Sequence, residues 1–137
     1  MPGILPHLLC AAGYASVAAL LLHALTRRQG PSVMVLQRLH LGTLAPILLH
    51  GWLLHQSVLA SEGIYLGVGT SVSVIIWLAA LIYWLGGFFH RLEALQVFIL
   101  SAAALLVLMP LLLPSVRPLT HVDLPAFRLH LTISLLA

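Results

Sequence analysis

Eight histidines stand in a chain of 137 residues, more than the charged side chains of either sign. Imidazole can ligate a metal, relay a proton or hold two hydrogen bonds. Three of the eight, His40, His50 and His55, share the apolar stretch Leu39–Val58, LHLGTLAPILLHGWLLHQSV, with Trp52 between the last two. A helix turns about 100° and rises about 1.5 Å per residue, so His50 and His55 point about 140° apart and His40 lies about 15 Å from His50 along the axis. These three cannot share one metal, and the stretch has no H-x-x-x-H pair of the zinc-binding kind. Each needs a partner from another helix.

His50 is the deepest of the three. A core histidine bonded to a neighbouring helix and a ligand or gate residue carry even weight for it. An ionisable residue inside a membrane segment is a functional candidate by default. His55 sits beside Trp52 and Gln56 at an interface, where wet polar tips cost little. His7, His23, His40 and His90 fall near helix ends, and a solvated reading is favoured for each. His121 falls in the loop PSVRPLTHVDLP, and His130 follows nine residues later, about one turn into the next apolar run. Neutral imidazole ligates haem iron well. On position alone, an iron ligand and a water-satisfied interfacial histidine weigh equally at His130. From sequence, no nucleophile is paired with a base, and the only carboxylates, Glu62, Glu93 and Asp123, lie in separate loops.

The elements that position these residues follow from composition. The chain is 61% hydrophobic and 7% charged, against about a quarter charged in soluble domains. So few charges cannot cover the surface of a soluble fold, so the expected class is all-α, a polytopic helical membrane protein embedded in a lipid bilayer. Spans are expected at about residues 4–25, 39–58, 68–85 and 94–113, with the start of a fifth helix at about 126–137, all within a single membrane domain, 1–137. Twelve residues are too few to cross, since about twenty are needed, and the chain reads as the N-terminal part of a longer protein. Pro46 is expected to kink the second span, and Ser32–Gln37 to form a connector along the interface. The alternation Gly67, Gly69, Ser71, Ser73 suggests a strand, but the apolar length with Trp77, Tyr83 and Trp84 favours a helix with a small, polar first half.

The six arginines set topology. Arg27, Arg28, Arg38 and Arg91 fall on one side of the four-span plan, and Arg117 and Arg128 on the other. The first side is therefore expected to be cytoplasmic and the N-terminus outside. The arginines lie between apolar runs, so the basic balance does not point to nucleic acid. Cys10 is the only cysteine, which excludes an internal disulfide and a cysteine-rich metal site.

Several short motifs together resemble a known family. They are His50 in ILLHGWLLH, Gly69-Thr-Ser-Val-Ser in the third span, Met109-Pro110 closing the fourth, and Thr120-His121…Pro125…Leu129-His130. This layout resembles the cytochrome c assembly family, the CcmC- and CcsA-type haem-handling membrane proteins, and most nearly its YpjD-type inner-membrane branch. The resemblance implies a bacterial inner-membrane protein that handles haem for cytochrome c maturation, with other maturation proteins as partners; the residues themselves are read as catalysing no reaction. It implies His130 as candidate axial iron ligand, His50 as a second, intramembrane candidate and His121 as a loop auxiliary. The family's Trp-rich outer segment and second outer histidine have no counterpart before Ala137. Two alternatives remain: a permease-type subunit, with the third span's small-residue face lining a path, and a membrane assembly factor whose histidines only pack.

Overall fold

The computed structural model describes residues 3–28, 30–60, 63–64, 67–113, 129 and 132–134. Helix α1 covers Ile4–Thr26, α2 Val33–Gly42, α3 Leu44–Val58, α4 Val68–Gly86, α5 Glu93–Leu106 and α6 Met109–Leu112. A two-residue antiparallel pairing, β1 (Leu59–Ala60) with β2 (Gly63–Ile64), joins α3 to α4. Among the described residues, four helical stretches are long and apolar enough to cross a membrane: Ile4–Thr26, Val33–Val58, Val68–Gly86 and Glu93–Leu112. The described fold is that of an all-α, multi-pass membrane protein. Of the expected fifth helix, Leu129 and Thr132–Ser134 are helical, and the rest lies outside the described residues.

The second span begins six residues before the expected Leu39. Ser32 caps α2, its hydroxyl accepting the Val35 N–H at 3.4 Å, so Val33–Gln37 is the helix's first turns instead of an interfacial connector. Pro31 just ahead and a serine at the cap position form a helix-start signal.

Two prolines account for both interruptions in the long helices. A proline has no N–H for the carbonyl four residues back, and its ring crowds that carbonyl. Pro46 deprives Gly42, the last residue of α2. Pro110 deprives Leu106, the last residue of α5. The ladder resumes through tighter bonds, such as Leu108 N–H to the Leu105 carbonyl at 3.2 Å. The interruption expected from Pro46 thus falls one turn before it, at Thr43.

The four spans pack in ring order. α1 lies against α3 and α5, and α4 against the same two, with α6 closing on α4. The shared core is Cys10, Tyr14, Ala18, Ile47, Leu53, Ile76, Ala80, Leu100, Ala103 and Val107. Lipid tails are as apolar as leucine, so such a bundle is held by close packing and interhelical hydrogen bonds. Small residues allow the approach. A Cβ on Gly69 would fall 2.6 Å from the Met109 carbonyl oxygen, and one on Gly13 would fall 3.2 Å from Pro46 Cβ. The outward faces carry Leu48, Ile75, Ile82, Phe98 and Leu105, all exposed for lipid contact.

Candidate functional site

The buried face of α1 presents His7, Cys10, Tyr14, Ala18 and Leu21, at spacings of three and four residues. Such spacings keep one stripe toward the core. The stripe delivers the Tyr14 hydroxyl to His50 Nδ1 at 3.2 Å. From α4, the Ser73 hydroxyl meets His50 Nε2 at 2.9 Å. His50 is 0% exposed, Tyr14 0% and Ser73 1%. One imidazole therefore joins three spans. A neutral ring donates from one nitrogen and accepts at the other, and a hydroxyl can take either role. Each ring nitrogen of His50 thus has a hydroxyl partner.

This places a hydroxyl and an imidazole at the separation of a nucleophile and its base, a pairing not visible in the sequence. Sealed on all sides, Ser73 leaves no space for a reacting carbonyl. Both nitrogens of His50 are engaged, so in this geometry neither is free to ligate iron. Gly69 and Thr70 of the third-span motif are buried at the start of α4, and Met109–Pro110 begins α6. His121 and His130 lie outside the described residues. Among the described residues, no three of the His, Cys, Asp and Glu side chains gather as a metal site.

Further donors from α4 tie it to the kinked span. Trp77 Nε1–H donates to the Ile47 carbonyl at 2.9 Å, and Trp84 Nε1–H to the His40 carbonyl at 2.8 Å. With Ser73 on His50, α4 residues 73, 77 and 84 pair with residues 50, 47 and 40 in antiparallel register. Spacings of four and seven put all three on one helix face. That spacing was the available signal: three hydrogen-bonding side chains on one stripe of an otherwise apolar helix. Cys10 adds a bond from α1, its thiol donating to the Pro46 carbonyl at 3.4 Å. The carbonyls of His40, Pro46 and Ile47 in the second span thus receive donors from neighbouring spans.

The remaining histidines divide. His55 and His90 are exposed, and exposed His23 meets the Arg27 guanidinium at 3.1 Å. These agree with the solvated reading. His7 departs from it, being 2% exposed with Nδ1 3.2 Å from the Gly3 carbonyl oxygen. The α1 stripe carries it inward, whatever its nearness to the helix end. His40 departs further. Its ring stacks on Trp84, with centroids 5.4 Å apart and planes at 8°, and meets Phe88 edge-on at 4.5 Å. Gly87 admits this approach, since a Cβ there would fall 2.7 Å from His40 Cε1. His40 Nε2 is buried with no hydrogen-bond partner among the described residues. Neighbouring Gln96 is buried and donates from Nε2 to the Tyr83 carbonyl at 3.0 Å. Beside them is a cavity of about 420 Å3.

The fold and its polar ties define a multi-pass helical membrane protein with a closed, hydrogen-bonded interior. Compared with models of protein families, with curated proteins and with solved structures, the chain matches none.

Proposed function

We propose that this protein is a non-catalytic membrane component of haem handling in cytochrome c maturation, of the cytochrome c assembly type. It sits in the bacterial inner membrane with its N-terminus outside and works with other maturation proteins. In this reading the four spans are a platform, His130 is the axial iron ligand and His121 assists from the loop. Haem itself rests on the resemblance in the Thr120–His130 segment.

The observation that carries the platform role is the full engagement of His50 by Tyr14 and Ser73. The deep histidine is used to join helices, which leaves iron ligation to the histidines after α6. The third span's small residues Gly69, Ser73 and Ala80 are buried against neighbours, which weighs against their lining a solute path.

The test is the visible spectrum of the protein purified from haem-replete membranes. A haem band is expected, lost in His130→Ala and retained in His50→Leu, with helical circular dichroism confirming that both variants fold. A colourless wild-type protein overturns the reading.

A further inference from the structure

The cavity beside His40 lies at the end of the bundle that carries Arg27, Arg28 and Arg91 in its connections and Arg38 in α2. Its walls combine Leu21, Leu39 and Phe88 with Gln37, Glu93 and Gln96. A water takes about 30 Å3 in the liquid, so about 420 Å3 is far more than one bridging water needs. His40 lines this space with its ring clamped between Trp84 and Phe88. The two aromatic rings fix the orientation in which it meets the cavity.

The two ring nitrogens differ. Nε2 is sealed off and unpaired, while Nδ1 is not sealed. A proton on Nε2 would bury an N–H with no acceptor, a costly arrangement. The proton therefore belongs on Nδ1, which leaves a donor on the open side of the ring. Gln96 uses one amide N–H on Tyr83 and keeps a second. Two donors border the cavity, and Glu93 supplies an acceptor.

This lining discriminates among ligands. No arginine is among the described residues that line it, and Glu93 repels an anion, which disfavours a lipid phosphate. His40 and Glu93 alone do not make a metal site, and no three such ligands gather among the described residues. Apolar walls, an aromatic edge, two donors and one carboxylate suit a neutral planar ring bearing oxygens, with a tail in the bilayer. We propose that the cavity binds the head group of an isoprenoid quinone. A quinone carbonyl accepts from His40 Nδ1–H and the free Gln96 N–H, and a hydroxyl of the quinol form donates to Glu93. The site is separate from the haem reading, which rests on His121 and His130.

The experiment uses the full chain, delipidated and reconstituted in detergent micelles. It is titrated with short-tailed ubiquinone and menaquinone analogues while tryptophan emission is followed, since Trp84 backs His40. Saturable quenching is expected. His40→Phe, which keeps the stack on Trp84, and Gln96→Leu should each weaken binding by roughly fivefold to tenfold, the loss of one hydrogen bond. An azido-quinone photolabel on the unaltered chain should mark residues 36–43 or 87–96, which keeps the proposal testable should either variant misfold. Non-saturable quenching, labelling elsewhere, or displacement of the label by anionic phospholipid but not by excess quinone overturns it.

Discussion

Replacing His50 by leucine should unmask how much of this bundle depends on one imidazole. The two side chains are similar in volume, so little cavity opens and the loss is mainly polar. Two interhelical hydrogen bonds disappear, to Tyr14 at 3.2 Å and to Ser73 at 2.9 Å. Such bonds contribute about 0.6 kcal/mol each on average in membrane proteins and at most about 1.7. The orphaned hydroxyls differ. Ser73 can turn to the carbonyl four residues back in α4, as Ser16 and Ser101 do in their own helices at 2.7 and 2.8 Å. The Tyr14 phenol has no backbone acceptor within its helix and stays buried without a partner, at a cost of about 1 kcal/mol or more. His50→Leu should therefore destabilise by about 2–3 kcal/mol, and Ser73→Ala by about 0.5 kcal/mol. The sign of Tyr14→Phe should depend on background. Alone it strands His50 Nδ1 and costs about 1 kcal/mol, whereas in His50→Leu it removes the orphaned hydroxyl and restores stability. Reversible unfolding in mixed dodecylmaltoside and sodium dodecyl sulfate micelles, followed by circular dichroism, measures all four corners of this cycle. An identical Tyr14→Phe effect in both backgrounds, or a His50→Leu variant as stable as wild type, would refute the reasoning.

Three further outcomes follow from the packing. Gly69→Val places a Cβ 2.6 Å from the Met109 carbonyl oxygen; backbone cannot yield as a side chain can, so α4 and α6 should separate at a cost of about 1–3 kcal/mol, read by the same unfolding assay. Gly51→Ala puts a Cβ 3.0 Å from Trp77 Cζ2; the indole should move, lose its bond to Ile47 and shift its emission to longer wavelength, and an unchanged spectrum would argue against that contact. Cys10 is a free thiol at 0% exposure; a maleimide should label it only after unfolding, and rapid labelling of the native protein in membranes would contradict its place in the core.

Much of the fold was legible in the chain because its cause is local. Apolar length set the spans, and the end of the first was expected within a residue. Proline chemistry foretold the interruption near Pro46, though only the rule that the affected carbonyl lies four residues back places it at Thr43. The early start of the second span was also local, written in Pro31-Ser32 and not weighed there. The histidines were less legible. Helical geometry separates His40, His50 and His55 and leaves each to seek a partner elsewhere. It says nothing of what that partner is.

Those partners are a property of the tertiary structure. The sequence by itself determined four apolar helices, their breaks and the exclusion of a shared three-histidine site, because periodicity, length and proline act within one segment. Only the packed bundle decided that His50 lies between Tyr14 and Ser73, thirty-six and twenty-three residues away, and that His40 is clamped by aromatic rings instead of solvated. Such contacts depend on which face of each helix meets its neighbour and at what register. Close packing of small residues and the ties from Ser73, Trp77 and Trp84 set that register, and no single span encodes it.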